Sequence, residues 1–415
     1  MVLLMNKKIE KFVLENIDKT VRYSPEDEGT LIGLPYKYTV PCVGDHFQEI
    51  YYWDTYFANV GMIMVGKVEY AKSNIDNMLW MVEKFGHMPN GNRTYYLNRS
   101  QPPFLSRMVR DVFNVTGDKE WLLGAYKTLV KEYKFWQTDK LAENGLNGYF
   151  GYDVKENDPE ETLPRFCVRC KLDIDDIVTD EERHENCLAA FSIYECGWDC
   201  SSRFVNKGHQ FNALDLNSLL YDFEENMRVF SEILSLGEED LWAERKEIRR
   251  NKMKEIMWNE EEGLFLDFNF VTKEFSNYKS IASFFPMFVN LATKEEAEKT
   301  VELLKDLEQE FGVACGVKEN CKYFQWDYPN VWAPLQFVMY HALKNYGYDE
   351  DANRIAEKYV KLVEANYDET DCFWEKYDGV TGKVANPEYK TQAKVEMMGW
   401  TAGVYIALSD ATENK

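Results

Sequence analysis

The sequence predicts an all-α fold of paired helices, on three observations. Apolar residues recur at three- and four-residue steps through most of the chain, short turns separate the helical segments, and strand signals are few. The clearest segment is Asn217–Leu236, where Leu219, Leu220, Phe223, Met227, Phe230 and Leu234 share one face. Asp240–Trp258 follows a break at Gly237. Lys294–Phe311 and Asp349–Tyr367 repeat the amphipathic pattern with dense Glu and Lys. The N-terminal third contributes Tyr51–Val65, Val68–Phe85, Phe104–Val115 and Lys119–Lys140, and Trp400–Ser409 ends the series. Turns such as Thr116-Gly117-Asp118 and Asn345-Tyr346-Gly347 connect neighbours. Gly263–Phe268 reads as one hairpin arm. No strict repeat is present. A run of about a dozen helices in hairpins makes either an open solenoid or a closed ring, and periodicity does not choose between them.

The 415 residues are enough to bury a large core. With 48 Lys and Arg against 71 Asp and Glu, the formal charge is −23. That balance argues against nucleic acid and anionic membranes, which call for a basic footprint. No stretch is long enough to span a bilayer. The opening Met1-Val2-Leu3-Leu4-Met5-Asn6-Lys7-Lys8 does not read as a signal peptide, and the cysteine count, nine, is odd. Both point to reduced thiols and a cytoplasmic location. Aromatic residues make up 15% of the chain, which suits stacking on sugar faces, although most must serve the core.

Four inter-helical segments are rich in Trp, Asp, Glu, Arg and Gly rather than linker residues: Phe47–Phe57, Pro89–Pro103, Glu195–Arg203 and Gln325–Pro334. Loops on a rigid scaffold carry function. Two carboxyls stand in contexts that suit cleavage of a glycosidic bond, which needs one protonated donor and one ionised group to activate water. Asp199 lies between Trp198 and Cys200 after Gly197, an apolar setting that favours the protonated form. Glu375 follows Phe373-Trp374 and precedes Lys376-Tyr377, so a nearby ammonium is available to keep it ionised. Among 71 carboxylates, chemistry alone does not single these two out.

Five motifs add what spacing lacks. Phe47-Gln48-Glu49-Ile50-Tyr51-Tyr52-Trp53-Asp54-Thr55-Tyr56, Pro89-Asn90-Gly91-Asn92-Arg93-Thr94-Tyr95-Tyr96-Leu97-Asn98-Arg99-Ser100-Gln101-Pro102-Pro103, Glu195-Cys196-Gly197-Trp198-Asp199-Cys200-Ser201-Ser202-Arg203, Gln325-Trp326-Asp327-Tyr328-Pro329-Asn330-Val331-Trp332-Ala333-Pro334 and Glu375-Lys376-Tyr377-Asp378 resemble, in order, segments of the trehalase family of glycoside hydrolases. The resemblance runs from residue 40 to 405. It implies a single (α/α)6 toroid, six helical hairpins with irregular active-site loops, over residues 1–415. It implies hydrolysis of an α-linked glucoside, trehalose or a related small α-glycoside, with inversion and without cofactor or metal. Asp199 inherits the general-acid role and Glu375 the general-base role. Trp53, Asp54, Asn90, Arg99, Trp326 and Trp332 match positions lining the sugar pocket, with Gln101 a further contact. Glu388 and Gln392 match the remnant of a final Glu-Tyr-x-x-Gln motif.

The departures bear on the second half of the substrate. The family's Pro-Gly-Gly-Arg-Phe-x-Glu signature appears as Pro41-Cys42-Val43-Gly44-Asp45-His46-Phe47-Gln48-Glu49, so His46 stands where an Arg is usual. A second usual Arg, upstream of the catalytic Asp, falls at Phe191. A glycine-rich lid before Glu388 is replaced by Lys383-Val384-Ala385-Asn386-Pro387, and three extra residues lie between Gln392 and Trp400. These losses predict weaker hydrolysis of trehalose and open the alternative of glucosylglycerate or mannosylglycerate on the same fold. A non-catalytic sugar-binding protein has no use for the retained acid–base pair. Arg93 and Arg203 divide evenly between pocket and structural roles. An apparent inserted loop at 155–190 carries Cys167-x-x-Cys170 and His184-x-x-Cys187, residue types and half-site spacings compatible with zinc. Reduced thiols beside an exposed His is the reading preferred for this set.

Overall fold

The computed structural model describes residues 6–150, 159–385 and 399–413. Its α-helices are α1 (Lys7–Asn16), α2 (Tyr52–Met64), α3 (Val68–Phe85), α4 (Leu105–Thr116), α5 (Lys119–Thr138), α6 (Pro159–Cys170), α7 (Asp180–Glu195), α8 (Leu214–Leu234), α9 (Glu239–Met257), α10 (Phe285–Phe288), α11 (Lys294–Val301), α12 (Leu304–Leu307), α13 (Ala333–Asn345), α14 (Asp349–Thr370) and α15 (Gly399–Glu413). Six of them form a closed circuit. α2 packs on α4, α4 on α8, α8 on α10, α10 on α13, α13 on α15, and α15 returns to α2. Around this ring α3 covers α2 and α4, α5 covers α4 and α8, α9 covers α8, and α14 covers α13 and α15. The helical pattern therefore closes into the (α/α)6 toroid rather than an open solenoid.

Closure rests on two glycines. A Cβ on Gly61 of α2 would stand 2.5 Å from the Gly403 Cα, and one on Gly403 of α15 would stand 2.0 Å from the Phe57 carbonyl oxygen. Only residues without side chains let these two backbones touch. One continuous apolar core fills the ring and the gaps between ring and outer helices.

Two expectations are corrected. The segment at 155–190 is not a loop where it is described: α6 and α7 pack as a helical pair with a separate small core that includes Leu163, Phe166, Phe191 and Ile193. The N-terminus of α7 is a capping box, Thr179 and Glu182 each bonding the other's backbone N–H. Lys294–Phe311 is not one helix. α11 ends at Val301, α12 is a single turn, and Glu308–Gln309 pairs with Gly312–Val313 in a tight hairpin. The arm expected at Gly263–Phe268 is found, with Leu264–Phe265 pairing with Trp258–Asn259. No helix among the described residues is long and apolar enough to cross a membrane.

Candidate active site

The motif residues gather at one end of the ring, where the inner helices begin. Trp53 and Asp54 occupy the first turn of α2, Arg99 and Gln101 precede α4, the Glu195–Arg203 loop precedes α8, Trp326 and Trp332 precede α13, and Trp400 opens α15. Glu375 sits between α14 and α15, beside a ribbon in which Asn330–Trp332 pairs with Lys376–Asp378 and Trp332 lies opposite Lys376. The loops are tied to one another. Trp53 N–H donates to Gln101 Oε1 at 3.2 Å, and Asn90 Nδ2 donates to the Tyr194 carbonyl at 3.3 Å. Asp327 accepts from the Ser202 N–H and hydroxyl at 2.7 and 2.6 Å, and Trp326 N–H donates to the Cys200 carbonyl at 3.1 Å. Lys140 and the Ser100 N–H both donate to the buried Glu195 carboxylate, at 2.8 Å each.

Five indole rings pack together at this end of the ring, all of them buried in the main core. Trp326 and Trp332 stack with centroids 3.8 Å apart and planes 7° apart. Trp198 lies 5.9 Å from Trp326 on its other side, and Trp53 and Trp400 meet the stack at 5.6 Å. Gly197 makes the junction possible: it has φ +75°, and a Cβ there would come within 2.8 Å of the Trp53 ring. Trp400 Nε1 donates to the Glu375 carbonyl at 3.2 Å, fixing that residue's backbone against the indole cluster.

Three carboxyls lie near enough to feel one another's charge. Burial raises all of them. Asp54 is pushed up to about 8, mainly by desolvation and further by Asp199 and Glu375. Asp199 is raised by burial, opposed by Arg169, Arg99 and Arg165. Glu375 is raised by burial, opposed by Lys376 and pushed further by Asp199. The ammonium expected to hold Glu375 ionised is present at 3.9 Å, but it only partly offsets desolvation. Asp199 and Glu375 keep 33% and 21% side-chain exposure, so a ligand can reach both.

Arg99 is partly buried among the rings of Tyr96, Phe191 and Tyr194, 4.9, 5.7 and 5.8 Å from its guanidinium. Its Nη1 donates to the Tyr95 carbonyl and Asn98 Oδ1, and its Nε has no partner among the described residues. Phe191 therefore does not mark a vacancy left by a lost Arg. It is a core residue of the α6–α7 pair and one wall of the Arg99 cage. His46 lies exposed on its loop. Arg93 pairs with Glu49 and bonds Thr30 Oγ1 at 2.9 Å, and the Arg203 guanidinium is shared between Asp215 and Asp267. Glu388 and Gln392 lie outside the described residues.

The four-residue zinc set does not assemble. Cys167, Cys170 and Cys187 are buried in the small core, while His184 is exposed, and no group of three or more metal-type ligands occurs among the described residues. The thiols act as small apolar residues. Two site residues escape sequence reasoning: Arg169, whose Nη1 donates to Asp199 Oδ2 at 3.0 Å, and Trp400 of the indole cluster. Arg169 gives no signal because its segment reads as an inserted loop. A cavity of about 900 Å³ opens at the opposite end of the ring among the ends of α2, α4, α13 and α15, and Asp54, Asp199 and Glu375 are not among its lining residues.

Asp54 carries a testable cost. A carboxyl held protonated in the folded state but ionised when unfolded destabilises the fold as pH rises from about 4 towards 8. Asp54→Asn should be more stable than the parent protein by an amount that widens by roughly 4 kcal/mol between pH 5 and 8, while losing hydrolytic activity. A gap that stays flat across this range would mean that Asp54 is ionised throughout.

Comparison with known proteins agrees with this geometry. The trehalase family model matches residues 1–412. The periplasmic trehalase of Xanthomonas campestris pv. campestris (strain B100) is 31% identical over 402 residues, covering 91% of this chain and 68% of that protein. The structure of the neutral trehalase from Saccharomyces cerevisiae superposes with a TM-score of 0.77 at 29% identity, covering 94% of this chain and 76% of that one. A mannosylglycerate hydrolase from Thermus thermophilus shares the fold at a TM-score of 0.66 and 15% identity, covering 97% of this chain and 99% of that one. The cytoplasmic location expected from the sequence is overturned by relatives that are periplasmic trehalases. Its cysteine argument fails for a physical reason: none of the nine thiols forms a disulfide and eight are buried as packing residues, so their number says nothing about compartment. With the toroid, the ordered motifs and the whole-length match in agreement, the chain belongs to the trehalase family of glycoside hydrolases.

Proposed function

We propose that the chain hydrolyses trehalose by single displacement with inversion, Asp199 donating a proton to the glycosidic oxygen and Glu375 deprotonating the attacking water. The observation that supports this reading is that Asp199 and Glu375, from loops far apart in sequence, lie near enough for Glu375 to respond to the charge of Asp199, each raised by burial while keeping part of its side chain exposed. Inversion requires room for water, so their carboxyls should stand roughly 6.5–9.5 Å apart in the substrate complex. In this reading Asp54, Asn90, Arg99 and Gln101 hold sugar hydroxyls, and Trp53, Trp326 and Trp332 cover sugar faces.

The test is the anomer first released. Inversion at one centre of α,α-trehalose gives one β- and one α-glucose per turnover, and early proton NMR spectra should show the two in equal amounts. Two α-glucoses, or no release of glucose, would overturn the reading. A second reading is favoured by three guanidinium groups, Arg99, Arg165 and Arg169, that act on Asp199. Positive charge beside the acid suits a leaving group that bears a carboxylate, so glucosylglycerate and mannosylglycerate belong in the same substrate panel.

A further inference from the structure

The α6–α7 pair lies outside the ring, yet it sends one side chain to the acid. Arg169 occupies the last turn of α6, with its side chain 14% exposed and its guanidinium 5.4 Å from the Tyr194 ring centroid. Its Nη1 donates to Asp199 Oδ2 at 3.0 Å. Packing builds this contact. The small core sets Phe166 and Cys170 of α6 together with Phe191 of α7 and with Cys200. Cys170 Sγ lies 3.3 Å from Cys200 Sγ, so the residue after Arg169 touches the residue after Asp199. Two backbone segments are thereby pinned side by side, and the ion pair lies next to the pin. An exposed pair between long side chains would have no such support.

We propose that Arg169 is a positioning residue for Asp199: it fixes the direction in which that carboxyl faces the pocket and supplies the positive charge against which the proton is released. The inference rests on Asp199 being the general acid. In the chemical step the proton passes from Asp199 to the glycosidic oxygen as the bond from the anomeric carbon breaks. Glu375 takes a proton from the water that adds to that carbon. Asp199 ends the step as a carboxylate, the form that Arg169 binds, so Arg169 stabilises charge as it develops.

Other charged and titratable groups act on Asp199 or are acted on by it. Arg165 comes from α6, Arg99 from the loop before α4, and Tyr194 and Cys196 from α7 and its end. Cys200, in contact with Cys170, is adjacent in the chain, Asp54 belongs to α2, and Glu375 lies between α14 and α15. Arg169 also lowers Glu375, from farther away. Its removal therefore has a signature that simple disruption lacks. Both limbs of the pH profile should move upward, the alkaline limb of Asp199 more than the acid limb of Glu375.

The experiment measures kcat/KM against pH on trehalose for the parent enzyme, Arg169→Met and Arg169→Lys, with α-glucosyl fluoride as second substrate. Arg169→Met should raise the alkaline limb by about one pH unit and lower kcat on trehalose by about tenfold. It should cost much less on the fluoride, whose departure needs little protonation. Arg169→Lys keeps the charge and should return both limbs towards their parental positions. Unmoved limbs in Arg169→Met, equal losses on the two substrates, or a Lys variant whose limbs follow the Met variant would each overturn the proposal. Failure of the acid assignment reads differently: Asp199→Asn would then keep its activity on trehalose with Arg169 intact, and the role of Arg169 would fall with it.

Discussion

Asp199→Asn is expected to lose about 10²–10⁴-fold in kcat on trehalose and far less on α-glucosyl fluoride. The reason lies in the leaving groups. A sugar alkoxide is a poor one and departs only as it gains a proton, whereas fluoride departs with little help. Glu375→Gln removes the group that activates water, which both substrates need, so both should fall. The contrast between the variants carries the assignment, because misfolding lowers every substrate alike. Added azide gives a further check. It is an anionic nucleophile that needs no deprotonation, and with Glu375→Ala it should restore turnover of the α-fluoride and yield a β-glucosyl azide. If Asp199→Asn retains near-parental turnover of trehalose with its helix content intact, Asp199 is not the acid. Asp54, held protonated up to about pH 8, is the next group to test.

The alternation of apolar and polar residues carries the long amphipathic helices into view. Val68–Phe85 has the same bounds in sequence and structure, and the helices around Asn217–Leu236 and Asp349–Tyr367 differ only at their ends. Ring closure has no such local signal. It depends on Gly61 meeting Gly403 across most of the length of the chain, a contact that periodicity cannot encode. The described motif residues stand at the start of an inner helix or in the segments between helices. The electrostatics are less legible. Lys376 is visible in sequence as a counter-charge for Glu375, but how much solvent each carboxyl loses is set by packing, and burial outweighs the ammonium. Phe191, where the family's Arg is expected, is a core residue beside Arg99. The guanidinium beside Asp199 comes instead from Arg169, 30 residues upstream, on a helix whose apolar face is interrupted by charge. The Cys and His spacing misleads. Spacing alone does not reveal that three thiols turn into a core while His184 turns outward.

Arg203→Met should have the largest effect on stability. Arg203 is fully buried, and its guanidinium is shared between two carboxylates. Nη1 and Nη2 bond Asp215 at 3.0 and 2.7 Å, while Nε and Nη2 bond Asp267 at 2.7 and 2.8 Å. It also lies over the rings of Trp198 and Phe204, 4.7 Å from each centroid. Asp267 in turn accepts from the Leu214 N–H at the start of α8, so this cluster anchors the Asp199 loop to an inner helix of the ring. Methionine fills the volume but leaves two carboxyls, 1% and 3% exposed, without their cation. Breaking a buried ionic cluster from one side costs about 3–5 kcal/mol, a large share of the roughly 5–15 kcal/mol that holds a folded protein together. Arg203→Lys keeps the charge but cannot offer a planar fork to both carboxylates, and should lie between the two. Urea unfolding should show the midpoint falling in that order. Molecules of Arg203→Met that remain folded at low temperature should still hydrolyse substrate with the parental pH profile, because Arg203 touches neither Asp199 nor Glu375 among its bonded partners. A variant with an unchanged unfolding midpoint and a shifted pH profile would place Arg203 in the pocket instead.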